Sequence, residues 1–205
     1  MTRLRVAAAS LALAFAASTG SHAAKVGDPA PAFTGTDTKG KVHALSDFKG
    51  RFVVLEWHNQ GCPYVKKHYG SANMQRLQKE WTAKGVVWLT IISSAPNTQG
   101  HVTAEQADAY VRDQQAAPTA VLLDPSGEIG RAYGAKTTPQ MVVIDPTGRL
   151  IYDGAIDDKP TTDVADIATA QNYVSAALTA AMAGKPVGTS ATKPYGCSVK
   201  YASGS

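Results

Sequence analysis

The chain has 205 residues, with 20 Lys plus Arg against 16 Asp plus Glu, a formal net charge of +4 and a pI of about 9.0. This balance excludes the strongly basic surface that a nucleic-acid-binding protein uses to hold phosphates. The length is that of one domain, and it suffices to bury a hydrophobic core without help from disulfides or metals.

The first 23 residues have the three zones of a secretory signal peptide. Arg3 and Arg5 form a basic start, residues 6–18 are almost wholly apolar, and residues 21–23 (SHA) offer small side chains to a signal peptidase. The apolar run is too short to span a bilayer as a helix. We therefore predict cleavage after Ala23 and export of a mature chain with no stable membrane insertion. That chain keeps 18 basic and 16 acidic residues, a net charge of +2.

Five short apolar runs rich in β-branched residues predict the strands of a sheet. They are FVVLEW (52–57), VVWLTII (86–92), AVLLD (120–124), QMVVID (140–145) and LIYDGAI (150–156). DPTG (145–148) predicts a tight hairpin turn between the last two runs. Two stretches upstream of the first run, KVGDPAPAF (25–33) and GKVHALSDFKG (40–50), predict an edge hairpin or short added elements.

Stretches with helical spacing follow these strands. The first predicted helix begins at Pro63, is interrupted at Gly70-Ser71 and resumes near Met74. The second begins near Thr103, with Gln106 completing a capping box. Two later helices are predicted over EIGRAYG (128–134) and over residues 162–183, the last stopping at Gly184.

This order of elements predicts an α/β fold with a mixed central sheet and helices on both faces. We divide the chain into the signal peptide (1–23), one domain (24–184) and a C-terminal tail (185–205). The tail is rich in Gly, Ser, Thr and Pro, shows little periodicity and carries Cys197, so we predict that it is irregular.

HNQGCPYV (58–65) places a cysteine between a predicted strand and a predicted helix. Proline is favoured at the first helical position, so Pro63 makes Cys62 the N-cap. The free N–H groups and the dipole of a helix start favour negative charge, and they lower the pKa of a thiol there. Lys66 lies one turn further on, and helical side chains lean back toward the N-terminus. The pattern predicts a reactive thiolate at Cys62.

These motifs together resemble the thioredoxin superfamily. A strand ends in Glu56-Trp57, a Cys-Pro pair follows five positions later, and Thr138-Pro139 enters the strand QMVVID. The opening VGDPAPAFTGTDTKGKVHALSDFKGRFVVLEW resembles the redoxin branch, which includes alkyl hydroperoxide reductase/thiol-specific antioxidant and peroxiredoxin-like proteins. The resemblance covers residues 26 to about 183. It implies a thioredoxin-like fold and a thiol oxidoreductase without a cofactor. The signal-peptide pattern is compatible with a periplasmic or a secreted protein, and the resemblance favours the periplasm.

The resemblance also implies roles for individual residues. Cys62 matches the nucleophilic cysteine, and Glu56 matches a buried acid that manages protons near it. Pro139 matches a cis proline that lies against the thiol and exposes the backbone of Thr138 to a substrate chain. We assign Pro63, together with Thr138 and Pro139, to substrate binding.

The chain departs from both family patterns at specific positions. Val65 replaces the second cysteine of Cys-x-x-Cys, so the local dithiol cycle of thioredoxin cannot run. Leu55 and Asn59 replace the proline and threonine of the peroxiredoxin pattern Pro-x-x-x-Thr-x-x-Cys. Asn59 can still donate a hydrogen bond in place of the threonine.

Cys197, within KPYGCSVKY, is the only other cysteine. If the tail folds back over the helix start, Cys197 can attack an oxidised Cys62 and resolve it as a disulfide. Alternatively, a permanent Cys62–Cys197 disulfide pins the tail, or Cys197 is a lone thiol that pairs with another chain.

Three functions fit these residues. The first is an exported thiol-disulfide oxidoreductase, in which Cys62 attacks a protein or small-molecule disulfide or an oxidised thiol and an external donor restores the electrons. The second is a thiol peroxidase, in which Cys62 forms a sulfenic acid that Cys197 captures. The third is a non-enzymatic module that holds copper or another metal with Cys62 and His58 or His68.

Overall fold

The computed structural model describes residues 24–203. The predicted signal peptide and its cleavage site lie outside the described residues. Over the described range, no helix combines the length and apolar character needed to cross a bilayer.

A seven-stranded mixed sheet forms the centre of the molecule, with the strand order β2-β1-β5-β4-β3-β7-β8. Two further strands, β6 and β9, form a separate two-stranded sheet. The strands are β1 (Thr34–Asp37), β2 (Val42–Ala44), β3 (Val53–Trp57), β4 (Val87–Ile92), β5 (Ala120–Leu123), β6 (Thr137–Thr138), β7 (Gln140–Ile144), β8 (Leu150–Gly154) and β9 (Cys197–Ser198).

Within residues 24–203, five α-helices and two 3₁₀ helices connect or cover these strands. The α-helices are α1 (Pro63–Gly70), α2 (Asn73–Ala83), α3 (Ala104–Asp113), α4 (Glu128–Ala132) and α5 (Tyr173–Met182). The 3₁₀ helices are Leu45–Phe48 and Val164–Thr169. The break between α1 and α2 and the Thr103–Gln106 capping box confirm two of the local predictions.

The strand directions follow from the way the strands are connected. β3 pairs in parallel with β4, and β4 pairs in parallel with β5. Every residue of β3 and β4 is buried, as expected for continuous apolar runs in strands covered on both faces. β7 and β8 form the predicted hairpin, and the N–H of Gly148 donates to the carbonyl of Asp145 at 2.9 Å to close its turn. The predicted edge hairpin is β1–β2.

The two faces of β3 contribute to two different hydrophobic clusters, because neighbouring side chains in a strand point in opposite directions. Leu55 packs with Ile129 of α4 on one face. Val54 packs on the other face with apolar side chains of three helices, which are Val65 and Tyr69 of α1, Met74 and Trp81 of α2, and Leu178 of α5. The predicted mixed sheet with helices on both faces is therefore confirmed.

The prediction of one continuous helix over 162–183 is wrong. The 3₁₀ helix Val164–Thr169 is followed by Ala170, whose backbone is extended, and α5 begins separately after Asn172. The side chain of Asn172 accepts a hydrogen bond from the N–H of Ser175 at 2.8 Å. An N-cap inside an apolar periodic stretch thus restarts the helix, because the cap satisfies a free N–H group of a new helix end.

The tail returns to the domain and lies across the end of the central sheet. β9 pairs antiparallel with β6, with Cys197 opposite Thr138. Beyond β9, the N–H of Val199 donates to the carbonyl of Lys136 at 2.9 Å, and the carbonyl of Lys200 accepts from the N–H of Ala95 at 2.8 Å. The tail is thus more ordered than its composition predicts, since it forms a short strand and joins the core through Val199.

Candidate active site

The structure places Cys62 at the N-cap of α1, with Pro63 at the first helical position, as the sequence predicts. β3 ends at Trp57, and five residues, 58–62, connect it to α1. Asn59 shapes this loop, because its carbonyl accepts from the N–H of Cys62 at 3.0 Å and its Oδ1 accepts from the N–H of Gly61 at 2.9 Å. The sulfur of Cys62 therefore lies between the end of a fully buried strand and the start of a helix.

Two backbone groups from distant parts of the chain contact the sulfur of Cys62. Its thiol donates to the carbonyl of Thr138 at 3.1 Å, and the N–H of Cys197 donates to its Sγ at 3.4 Å. The peptide bond between Thr138 and Pro139 is cis, as the family resemblance implies. Cys62 has no exposed surface. The thiol is thus enclosed between the Thr138–Pro139 segment and the tail.

The surroundings of Cys62 change its pKa in opposite directions. Burial raises the pKa of the thiol, but hydrogen bonds from the Cys197 thiol and from the N–H groups of Val65 and Cys197 outweigh it and lower the pKa below the ordinary value of 9.0. The N–H of Val65 is one of the free N–H groups at the start of α1, where the helix dipole also favours negative charge. The net effect favours a thiolate at Cys62.

Cys197 has the opposite character. It is half-buried, and both cysteines are free thiols. Burial, together with the hydrogen bond to Cys62 and the charge of Cys62, raises the pKa of Cys197 to about 11 against the opposing effect of Lys200. The two thiols therefore form an asymmetric pair, in which Cys62 loses its proton first and Cys197 supplies a hydrogen bond to it.

Glu56 lies in a closed polar cluster and does not contact either sulfur through a hydrogen bond. Burial raises the pKa of Glu56, but the approach of His58 and several hydrogen bonds lower it overall. The donors to its carboxylate are the hydroxyl of Tyr69 (2.7 Å), Nε1 of Trp88 (2.8 Å), Nε2 of Gln78 (3.1 Å) and the hydroxyl of Thr90 (3.3 Å). A carboxyl group with a lowered pKa holds no proton near neutral pH, so the proton-handling role of Glu56 stays a prediction.

The other predicted site residues have different surroundings. Lys66 is exposed, whereas its neighbour Lys67 is buried and donates to the carbonyl of Lys159 at 2.9 Å. Nδ2 of Asn59 donates to Oε1 of Gln99 at 2.9 Å. Pro63 is exposed beside the site. The roles predicted for Lys66, Asn59 and Pro63 stay predictions.

The two histidines near Cys62 in sequence lie in separate polar groups. Nδ1 of His58 is 3.6 Å from Oε1 of Glu56. Nδ1 of His68 contacts the amide of Asn73 at 2.9 Å, and its Nε2 lies 3.4 Å from the hydroxyl of Tyr195. Within residues 24–203, no group of three or more His, Cys, Asp or Glu side chains is arranged to hold a metal ion. The geometry thus gives no support to the metal-binding alternative.

Gly196 is a site residue that sequence reasoning missed. Its φ is +129°, a backbone conformation that side chains disfavour, and a Cβ there would lie 2.0 Å from the carbonyl oxygen of Thr138. Only glycine lets the tail approach the Thr138–Pro139 peptide this closely. The available signal was the glycine next to Cys197.

Tyr195 is a second missed residue. Its hydroxyl donates to Oδ1 of Asp157 at 2.5 Å, and its ring lies 5.6 Å from that of Tyr64 on α1. These contacts fix the tail two residues before Cys197. An aromatic residue inside a stretch rich in Gly, Ser and Thr was the signal for such an anchor.

Comparison with known proteins gives the same picture of the fold. The family model described as AhpC/TSA family matches residues 26–153. The thiol-disulfide oxidoreductase ResA of Bacillus thuringiensis subsp. konkukian is 29% identical over 132 residues, which are 63% of this chain and 69% of that protein.

Two solved structures extend the comparison. A hypothetical protein from Sinorhizobium meliloti 1021 superimposes with a TM-score of 0.75 at 25% identity, over 89% of this chain and 98% of that one. The thioredoxin domain of a thiol-disulfide oxidoreductase from Bacteroides vulgatus superimposes with a TM-score of 0.50 at 21% identity, over 64% of this chain and 89% of that one. At that identity the second likeness shows the fold alone, which is thioredoxin-like.

Proposed function

This chain belongs to the AhpC/TSA family, which confirms the redoxin resemblance, and from this premise we propose that it is a thiol-disulfide oxidoreductase whose redox centre is the pair Cys62 and Cys197. The similarity to relatives named thiol-disulfide oxidoreductases supports this class of chemistry. The proposed substrates are disulfides or oxidised thiols, and an external thiol supplies the electrons.

One observation carries the proposal. The chain has two cysteines, 135 positions apart, and the tail brings the N–H of the second to 3.4 Å from the sulfur of the first. Cys197 occupies the role that Val65 cannot fill, since Val65 stands where thioredoxin has its second cysteine. The tail thus restores a dithiol pair that the local sequence lacks.

The reaction cycle follows from the asymmetry of the pair. The Cys62 thiolate attacks one sulfur of a substrate disulfide, the substrate S–S bond breaks, and the other sulfur leaves and takes up a proton. Cys197 then loses its proton and attacks Sγ of Cys62, which forms the Cys62–Cys197 disulfide and releases the second substrate thiol. Two external thiols reduce that disulfide and leave as a disulfide themselves, so two electrons pass in each cycle.

The pKa difference suits each cysteine to its step. A thiol whose pKa is lowered supplies the attacking thiolate at neutral pH, and it is also the better leaving group when an external thiol opens the internal disulfide. The pKa of Cys197 near 11 keeps it protonated until Cys62 is oxidised, when the hydrogen bond and charge that raise this pKa are gone.

We also propose that the mature chain works after export, with the signal peptide removed, in the periplasm. The signal-peptide pattern of residues 1–23 supports export. In an oxidising compartment the Cys62–Cys197 disulfide forms readily, so a dedicated electron donor is required to keep the pair reduced.

The test uses the mature chain and its variants Cys62→Ser and Cys197→Ser. We expect the wild type to reduce insulin disulfides with a thiol donor and to yield a Cys62–Cys197 peptide in mass spectrometry after oxidation. Cys62→Ser should abolish turnover, and Cys197→Ser should stop at a mixed disulfide on Cys62. Full turnover by Cys62→Ser, or an oxidised wild type without the internal disulfide, would overturn the proposal. Peroxide consumption that exceeds disulfide reduction would favour the peroxidase alternative.

A further inference from the structure

The tail strand occupies the backbone edge that an extended substrate would need. The family resemblance assigns the Thr138 backbone to substrate pairing, and in this structure β9 already pairs with β6 along Thr137 and Thr138. Strand addition requires a free edge, because each backbone N–H and carbonyl can pair with one neighbouring strand on that side. An extended polypeptide can therefore reach this edge only after β9 has left it.

The fit between the tail and this edge is close at one residue. Gly196 lies against the Thr138–Pro139 peptide, where a Cβ would come within 2.0 Å of the Thr138 oxygen and 2.7 Å of its carbonyl carbon. Both atoms belong to the backbone, so a side chain at position 196 cannot be accommodated by a rotamer change. A substitution at Gly196 must move the tail away from β6.

Both ends of β9 are held separately from the pairing itself. Before β9, the hydroxyl of Tyr195 donates to Asp157 at 2.5 Å. After β9, the hydroxyl of Tyr201 donates to the carbonyl of Ala135 at 2.7 Å, and the side chain of Val199 is buried. Removal of β9 as a unit therefore breaks contacts on both sides of Cys197, whereas a small movement at Cys197 leaves the anchors in place.

We propose that the docked tail makes this protein select small disulfides over disulfides in extended polypeptides, and that Gly196 is the residue on which the selection depends. The inference rests on the proposed function of Cys62. A small disulfide needs only a local displacement around Cys197 to reach the enclosed sulfur. A polypeptide needs the same backbone edge as β9, so it must displace the whole strand before it binds.

The test isolates the first chemical step by using Cys197→Ser as the background, so that resolution does not contribute. Two probes share one leaving group. The small probe is the mixed disulfide of glutathione with thionitrobenzoate, and the large probe is the same mixed disulfide on the cysteine of an unstructured peptide long enough to extend past β6 on both sides. The Cys62 thiolate attacks the glutathione or peptide sulfur, a Cys62 mixed disulfide forms, and the coloured thionitrobenzoate leaves as the thiolate.

The compared variants are Cys197→Ser alone and with Gly196→Ala or Gly188→Ala. Gly188 is the matched control, because it lies in the same tail, its Cβ would meet no atom within 4 Å, and its φ lies outside the left-handed region. We expect Gly196→Ala to raise the peptide rate by about tenfold relative to the glutathione rate, because a Cβ at this backbone position weakens the docking of β9 against Thr138. Gly188→Ala should leave the ratio unchanged.

If the ratio of the peptide rate to the glutathione rate is the same in the Gly196→Ala and Gly188→Ala variants, the proposed selection is wrong, and the proposed function is unaffected. Absence of any adduct on Cys62 with either probe would overturn the proposed function and the selection with it. Tyr195→Phe provides a second variant that keeps the glycine and removes one anchor. It should shift the ratio in the same direction by a smaller factor, and a shift toward the glutathione probe would contradict the proposal.

Discussion

The backbone N–H of Cys197 donates to the sulfur of Cys62 across 3.4 Å, although 135 positions separate the two residues. A bond between these sulfurs closes a loop that spans 135 positions of the 205-residue chain. Such a loop removes much of the conformational freedom of the unfolded chain, so the disulfide and the folded state stabilise each other. The oxidation state of the pair and the stability of the fold are therefore linked.

This linkage predicts that the oxidised protein is more stable than the reduced protein by about 2–4 kcal/mol. The measurement is the free energy of unfolding in urea, with and without reductant. Cys197→Ser is the control, because it cannot form the internal disulfide and should show no difference between the two conditions. Equal stability of the oxidised and reduced wild type would contradict the predicted linkage.

The second prediction concerns the hydrogen bond that lowers the pKa of Cys62. Cys197→Ser retains a side-chain donor, whereas Cys197→Ala removes it, and each variant leaves Cys62 as the only thiol. We expect a higher Cys62 pKa in Cys197→Ala than in Cys197→Ser, because the largest opposing effect to burial is the bond from the Cys197 side chain. The ultraviolet absorbance of the thiolate against pH measures it. If the pKa of Cys62 is the same in both variants, the backbone N–H groups, and not the Cys197 side chain, lower it.

Local features of the site could be predicted from sequence because they depend on neighbouring residues. The N-cap position of Cys62 follows from Pro63, and the capping box of α3 follows from Thr103 and Gln106. The position of Pro139 before a buried strand was enough to predict its cis peptide by resemblance.

The missing parts of the site arise from contacts between distant segments. β9 has two residues and no periodicity of its own, so its pairing with β6 exists only in the folded chain. The close approach of Gly196 to Thr138 is equally invisible along the sequence, because a glycine before Cys197 also fits an ordinary turn. The failed prediction of one helix over 162–183 has a local cause, since Asn172 caps a new helix start within the apolar periodic stretch.

The third prediction is that Glu56→Gln destabilises the fold by about 2–4 kcal/mol. The donors around Glu56 bind two carboxylate oxygens, whereas a glutamine amide has only one acceptor oxygen. Oε1 accepts from Tyr69, and Oε2 accepts from Trp88, Gln78 and Thr90, so at least one buried donor loses its partner. Urea unfolding near neutral pH measures the loss.

Glu80→Gln is the matched control for Glu56→Gln. Glu80 is half exposed and pairs with Lys84 at 2.7 Å, a type of surface pair that contributes less than about 1 kcal/mol.

The lowered pKa of Glu56 also means that its stabilisation is present above the ordinary value of 4.5 and is lost as the pH falls below it. The unfolding free energy of Glu56→Gln should therefore fall less steeply in acid than that of the wild type. Equal slopes for the two proteins would contradict the lowered pKa of Glu56.

The last prediction concerns His68, which lies fully buried beside the tail anchor formed by Tyr195 and Asp157. Burial lowers the pKa of His68 from 6.5 to about 4, and the attraction of Asp157 only partly offsets this. In the unfolded chain the imidazole takes up a proton near pH 6.5, whereas in the folded chain it stays neutral until about pH 4. Stability is therefore lost as the pH falls from 6.5 to 4, by about 3 kcal/mol in total.

His68→Gln removes this titration while keeping a polar side chain, so its unfolding free energy should fall less steeply than that of the wild type between pH 6.5 and 4. Above pH 7 the imidazole is neutral in both states, so there the two curves should run parallel, which serves as the internal control. Equal slopes below pH 6.5 would show that His68 is not held neutral in the fold. Alkylation of Cys62 over the same pH range reports whether the tail anchor loosens when His68 finally gains its proton.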